Sequence, residues 1–214
     1  VESSIDFTLS ENVESLTLTG MQDLSGEGNS LDNEITGNSG NNTLEGHSGA
    51  DVLRGGSGDD TYIVSDENDQ IIETEDAGFD QIKSSVDVTL AQHVEKLVLT
   101  GSSNISGTGN NLDNELAGNH GDNYLSGGSG NDVLDGNGGN DVLAGGNGDD
   151  LYLVGDADAT VSEAANGGLD TVESSVSYNI ADYVEKLVLT GTDNRAGTGN
   201  SQDDHIVGPS GENE

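Results

Sequence analysis

Along GGSGNDVLDGNGGNDVLAGGNGDD, residues 127–150, a carboxylate returns every nine residues, at Asp132, Asp141 and Asp150. The same phase holds Asp51 and Asp60 upstream, with Asn33, Asn42, Asn114 and Asn123 at the front of each run. Such side chains offer hard oxygen donors, which suit Ca²⁺ or Mg²⁺ rather than soft metals. The chain has no Cys, and His47, His93, His120 and His205 fall at different repeat phases, so the pattern does not point to Zn²⁺. The histidines read as solvated surface. Gly46-His47-Ser48-Gly49-Ala50 has the outline of a serine nucleophile elbow, but it lies in register as a repeat turn and lacks the strand-to-helix context that such a nucleophile needs. No catalytic residues are expected, and the chain reads as a non-enzyme.

Composition agrees that a cation is wanted. Five Lys plus Arg face 41 Asp plus Glu, for a formal charge of −36, and only 30% of residues are hydrophobic. That is the profile of a disordered acidic chain, and its self-repulsion opposes compaction unless a cation neutralises it. Nucleic acid and anionic membrane surfaces carry the same sign and are poor partners. No apolar run approaches a bilayer span, so membrane insertion is not expected. The opening VESSIDFTLS has neither the basic nor the apolar region of a cleaved export signal.

The elements that must position the carboxylates are repeats within repeats. VESLTLTG at 13–20 returns as VEKLVLTG at 94–101 and 184–191, giving modules 1–81, 82–171 and a partial 172–214 within one continuous solenoid. Inside them a nonapeptide beats through blocks 28–63, 109–153 and 199–214. Glycine at its positions 1, 2 and 4 permits a tight turn. Positions 7 to 9 make a short strand with its middle residue inward. Two nonapeptides complete a coil of 18 residues, and stacked coils build two parallel sheets. The inward ladder is Ile35, Leu44, Leu53 and Tyr62, then Leu116, Leu125, Leu134, Leu143 and Tyr152.

One buried side chain per nine residues is a thin core. It contributes about 1.5–3 kcal/mol, while ordering nine backbones costs several times as much. Position 6 supplies the rest. Units two apart share an edge, so Asp132 stacks over Asp150, Asn123 over Asp141, Asn114 over Asp132, Asn42 over Asp60 and Asn33 over Asp51. An ion between such turns would meet two side-chain oxygens plus carbonyls of the glycine turns, here those of Gly37, Gly46, Gly55, Gly58, Gly127, Gly130, Gly136, Gly145 and Gly148. A flexible cage of about six oxygens favours Ca²⁺ over Mg²⁺.

GGSGNDVLD at 127–135 and GGSGDDTYI at 55–63 match GGxGxDxUx, and the chain thereby resembles the RTX (repeats-in-toxin, hemolysin-type) calcium-binding nonapeptide repeat proteins. The resemblance implies an all-β, parallel β-roll holding Ca²⁺ through those aspartates and turn carbonyls. It also implies a secreted or cell-surface bacterial protein, exported unfolded by type I secretion and folded by external calcium. Departures cluster at the block starts: Asn replaces Asp at position 6 in the first two units of both complete blocks, and Leu31, Leu112 and Gln202 replace the position-4 Gly. The Asp132/Asp150 pair is therefore expected to bind best, and the Asn–Asp pairs less well.

Between blocks, apolar groups recur about every ten residues, so the solenoid is expected to continue through looser coils, with a separate small sandwich as the alternative. AQHVEKL and ADYVEKL could each close as one helical turn. Lys96 and Lys186 read as exposed ion-pair partners of Glu95 and Glu185. Two other functions stay open: the repeat tail of a secreted protease, lipase or epimerase, and a calcium-dependent polysaccharide-binding or adhesion module. Val1 starts in the phase of Ile82 and Val172, and Glu214 stops partway through a module, from which either excision from a longer array or end-to-end assembly into a filament or surface matrix is expected.

Overall fold

Val52-Leu53-Arg54 is the piece from which the fold is built: a three-residue strand with a buried middle and half-buried flanks. Thr43–Glu45 and Val133–Asp135 repeat the pattern. The computed structural model describes residues 1–75 and 77–209, and among these there are strands, turns and bends but no helix. The chain divides into two units, residues 1–98 and 99–214. The last residues of the third nonapeptide block, 210–214, lie outside the described residues.

In the first unit, Glu2–Ser3, Ser15–Leu18, Glu34–Thr36, Val52–Arg54 and Gln70–Ile71 form one parallel sheet. Phe7–Thr8, Ser25–Glu27, Thr43–Glu45, Thr61–Val64 and Gln81–Ser84 form the other. The chain alternates between the sheets, so two strands and two turns make one coil. Thr43 lies opposite Thr61 and Glu34 opposite Val52, eighteen residues on, which is the spacing of two nonapeptides. Leu16, Ile35 and Leu53 stack on one wall and Leu44, Tyr62 and Ile82 on the other, none more than 1% exposed. Gly26 shows how full this thin core is, because a Cβ there would stand 3.1–3.3 Å from Leu16, Ile35 and Leu44.

The second unit repeats the plan. Ser106–Thr108, Tyr124–Ser129, Val142–Asn147 and Thr160–Val161 form one parallel sheet. Glu115–Ala117, Val133–Asp135, Leu151–Val154, Thr171–Ser174, Lys186–Leu189 and His205–Val207 form another. Tyr178–Asn179 pairs separately with Gly197–Thr198. Every pairing is parallel, and Leu116, Leu134, Tyr152, Val172 and Leu187 make the inward column of the longer sheet. Each unit is thus a parallel β-solenoid.

As expected, looser coils continue the solenoid beyond the nonapeptides. The coil after each of the first two blocks is twenty residues long, with Thr61 opposite Gln81 and Leu151 opposite Thr171. Coils of fifteen and nineteen residues follow in the second unit, where Thr171 faces Lys186 and Lys186 faces His205. The shortened coil is closed by a two-residue turn and not by the helical turn expected from AQHVEKL and ADYVEKL. His93 and Tyr183 take left-handed φ of 66° and 68° there, and strands Lys96–Leu99 and Lys186–Leu189 begin three residues on. A helical turn would forfeit the coil-to-coil hydrogen bonds that Lys96 and Lys186 donate to the carbonyls of Asp80 and Asp170, at 3.0 and 3.1 Å.

Candidate metal centre

Position 6 of the nonapeptide stands at the corner where the turn becomes strand, and coil stacking sets each such residue beside its counterpart in the next coil. The backbone N–H of Asn114 donates to Asp132 Oδ1, and that of Asp132 to Asp150 Oδ1, both at 2.8 Å. Asn123 donates likewise to Asp141, Asn33 to Asp51 and Asn42 to Asp60, at 2.6–2.8 Å. All five stackings expected from the sequence are present. Each carboxylate thereby spends one oxygen on the coil before it.

The second oxygen is different. Oδ2 of Asp51, Asp60, Asp132 and Asp150 is buried and accepts no hydrogen bond. It is turned toward the glycine that opens its own repeat: a Cβ on Gly46, Gly55, Gly127, Gly136 or Gly145 would stand 2.0–2.3 Å from Oδ2 of Asp51, Asp60, Asp132, Asp141 or Asp150. Glycine keeps that corner open. Across the turn, Gly148 has φ of +125°, and a Cβ on it would stand 2.0 Å from the Gly130 carbonyl oxygen of the preceding coil. Gly58 and Gly130 make the same positive-φ turn, and Gly37 lies against the carbonyl of Gly55. Carboxylate and carbonyl oxygens are therefore gathered at one edge of stacked coils with no room for side chains between them.

An orphaned buried carboxylate oxygen is costly. Burial pushes Asp60 and Asp132 up to about 7 and Asp150 up to about 6, with neighbouring carboxylates adding to the rise and the backbone hydrogen bonds from Asn42, Asn114 and Asp132 opposing it. Asp51 and Asp141 are raised by burial as well. A hard divalent cation answers this arrangement by neutralising the charge and supplying the missing partner. The donor set fits Ca²⁺, since it is all oxygen and mixes carboxylate with carbonyl.

The asparagines of the same phase are placed alike and partnered differently. Oδ1 of Asn33, Asn42, Asn114 and Asn123 accepts the N–H of Asn29, Asn38, Asn110 and Asn119, at 2.7–2.8 Å. Their amide nitrogens donate to the side-chain oxygens of those same position-2 asparagines, at 3.1–3.3 Å. Asn119 in turn donates from Nδ2 to the carbonyls of Thr100 and Ser103, both at 3.0 Å. Amides thus satisfy the edge that carboxylates leave open.

Sequence reasoning passed over the extension of the ladder beyond the nonapeptides. Asp60 donates its N–H to Asp80 Oδ1, and Asp150 to Asp170 Oδ1, at 2.8 Å. Asp80 and Asp170 then donate to Oε2 of Glu95 and Glu185, at 2.9 and 2.8 Å. Asp69 continues the other edge beneath Asp51. The signal was present: Gly78-Phe79-Asp80-Gln81-Ile82 and Gly168-Leu169-Asp170-Thr171-Val172 read as the second half of a nonapeptide. A parallel ladder at position 5 also escaped notice, in which Asp113 Oδ1 accepts from Asn131, whose own Oδ1 accepts from Asp149.

His47 sits in a turn with φ of 70° and pairs with Glu45 at the surface, as a repeat turn and not a nucleophile elbow requires. Tyr62 and Tyr152 are fully buried ladder residues. No curated protein matches the chain. A family described as RTX calcium-binding nonapeptide repeat (4 copies) matches residues 27–71, 106–143 and 117–152, which contain every position-6 residue named above. The repeats of the first two blocks are RTX calcium-binding nonapeptides, and Ca²⁺ is the ion such repeats bind.

Proposed function

We propose that Asp51, Asp60, Asp132, Asp141 and Asp150 hold Ca²⁺ between stacked turns, together with carbonyls of the glycine turns, and that the chain is a structural region folded by external calcium. The observation that carries this reading is the row of buried carboxylate oxygens without a hydrogen-bond partner, recurring at one phase of the repeat. The role is architectural: each ion replaces core that the sequence does not have.

The formal charge of −36 supports an extended chain wherever calcium is scarce. A ligand that binds only the folded state stabilises it by mass action. A protein built this way stays unfolded during export, which suits type I secretion, and folds outside the cell or at its surface.

The test is far-UV circular dichroism with size exclusion through a Ca²⁺ titration from chelator, with Mg²⁺ as the control ion. A cooperative, Ca²⁺-specific gain of β signal with a smaller hydrodynamic radius is expected. A chain already compact and β-rich in chelator overturns the reading. Repeating the series at rising protein concentration tests the end-to-end assembly expected from the sequence.

A further inference from the structure

The first two nonapeptide blocks each run out into a twenty-residue coil, and both exits carry the same three carboxylates: Asp60, Glu73 and Asp80 in the first unit, Asp150, Glu163 and Asp170 in the second. Only Asp60 and Asp150 belong to a nonapeptide. The spacing is the same in both, an acid, twelve residues, a second acid, six residues and a third. In each trio one carboxylate oxygen per residue lies within 4.8 Å of the others.

Acidic residues gather on many surfaces without binding anything, but here the aspartates are buried and Glu163 is half-buried. Asp60, Asp80, Asp150 and Asp170 are no more than 2% exposed, and Glu73 is 9% exposed. Oδ2 of all four aspartates accepts no hydrogen bond. Among the described residues, no Lys or Arg pairs with any of the six. The glutamates are held in place from behind. Gly55 N–H donates to the Tyr62 hydroxyl at 2.7 Å, and that hydroxyl donates to Glu73 Oε1. Gly145, Tyr152 and Glu163 repeat the relay. The backbone of Thr74 and of Ala164 fixes the other glutamate oxygen, at 3.1 and 3.0 Å. The tyrosine hydroxyl and the backbone N–H thus orient each glutamate carboxylate, which has an oxygen within 4.8 Å of an oxygen of each of two buried aspartates.

We infer that each exit trio is a calcium site of a second kind, made by three side-chain carboxylates from three segments instead of by stacked turns. Its higher charge predicts tighter binding than at a nonapeptide site, where an Asp or Asn pair shares the ion with neutral carbonyls. Its work is to tie the looser coil to the block it follows, because Glu73 and Asp80 lie outside the block that Asp60 ends. Only the identity of the ion rests on the calcium reading of the repeats; the clustering of the trio does not.

The test uses the full chain, with equilibrium dialysis against Ca²⁺ and tyrosine-sensitised Tb³⁺ emission. The chain has no Trp, so Tyr62 and Tyr152, bonded directly to the trio glutamates, are the sensitisers nearest these sites. E73Q/E163Q is expected to lose two ions per chain from the tightest class, together with most of the Tb³⁺ emission that appears first in a titration. E163Q alone should lose one, with the first unit as internal control should the double variant fold poorly. Y62F/Y152F keeps the six carboxylates and should lower the emission while keeping the ion count. D132N/D141N should remove weaker sites and leave the first-filled class intact. An unchanged ion count in E163Q with β structure retained overturns the inference, as does loss of the tightest class in D132N/D141N. If D132N/D141N changes no ion count while E163Q loses its ion, the repeat reading fails and this one stands.

Discussion

In the first two blocks the front coil and the coils behind it share a backbone and differ in what closes their edge. At the front, Asn42 and Asn123 have both ends of the amide engaged by Asn38 and Asn119. Behind, Asp60 and Asp132 stand in the same place and each leaves Oδ2 without a partner. Position 2 differs between these four, asparagine at 38 and 119 and glycine at 56 and 128, whereas Asp51 has His47 there and Asp141 has Asn137, whose Nδ2 donates to the Gly118 carbonyl at 2.8 Å. An amide at position 2 supplies donors to the turn carbonyls, and glycine leaves them to a cation. The comparison teaches that one solenoid can close its edge in two ways, by hydrogen bonds that need nothing from outside or by carboxylates that need an ion.

The largest effect follows from removing that ion. In chelator, backbone amides of the rear coils, residues 46–63 and 127–153, should lose hydrogen-exchange protection before those of 28–45 and 109–126. At free calcium a thousandfold above the dissociation constant, one site contributes about 4 kcal/mol, so several sites together exceed the whole stability of an ordinary domain. Equal loss of protection in front and rear coils would show that the amide edge has no stability of its own, and the comparison would break.

Exchanging the two solutions tests it at a single residue. D132N places an amide where position 2 is Gly128, so the new side chain lacks the asparagine that serves Asn114 and Asn123. It should cost about 2–3 kcal/mol in saturating calcium and remove one ion. N42D with N38G makes the reverse exchange and should add an ion. Thermal melts in calcium read the first, and equilibrium dialysis reads the second. A D132N chain as stable as the parent would mean that Asp132 does not meet an ion.

Much of this was legible in the sequence, and what was not has physical reasons. Ile35, Leu44, Leu125 and Leu134 announced the core because a two-sheet coil has one inward position per nonapeptide. Asp132 and Asp150 announced the edge because their phase is constant. Asp80 and Asp170 were hidden because the twenty-residue coil shifts them out of the nine-residue phase, although each ends a Gly-x-Asp. The neutral amide of Asn42 marks it in the sequence as a weaker ligand than a carboxylate, while the partners of that amide are visible only in the fold. The turn at His93 was misread because Val94 and Leu97 are spaced as on a helix, while Leu97 and Leu99 alternate as on a strand. Both spacings are in the sequence, and the hydrogen bonds to the neighbouring coil choose between them.

A smaller effect, confined to the metal-free chain, comes from protons. Asp60, Asp80 and Asp132 are pushed up to about 7 and Asp69 to about 6 from an ordinary 3.8, in each case chiefly by burial. A carboxylate with a raised folded-state pKa holds its proton better when folded. Its contribution is full below about pH 4 and is lost as pH rises through 6–7. In chelator the β signal should therefore grow as pH falls from 7.5 to 5. Running the series in about 1 M salt screens repulsion among surface charges and leaves the buried carboxylates as the source. In saturating calcium the dependence should invert, since protons then compete with the ion. A metal-free chain with no pH response would mean that the rear edge is open to water.

The smallest effect isolates the amide edge. Asn119 is 6% exposed, donates to Thr100 and Ser103, and accepts from Gly121 at 2.7 Å and from Asn123 Nδ2 at 3.2 Å. N119A removes all four bonds, yet solvent reaches the turn carbonyls once the side chain is gone, so the net cost is about 1 kcal/mol. The sign that matters is its calcium dependence. If the front coil is closed by amides alone, N119A lowers the melting temperature by the same amount at low and at saturating calcium, and the ion count does not change. If the penalty disappears as calcium rises, an ion has taken the place of the lost amide. Front and rear coils would then be two occupancies of one kind of edge instead of two designs.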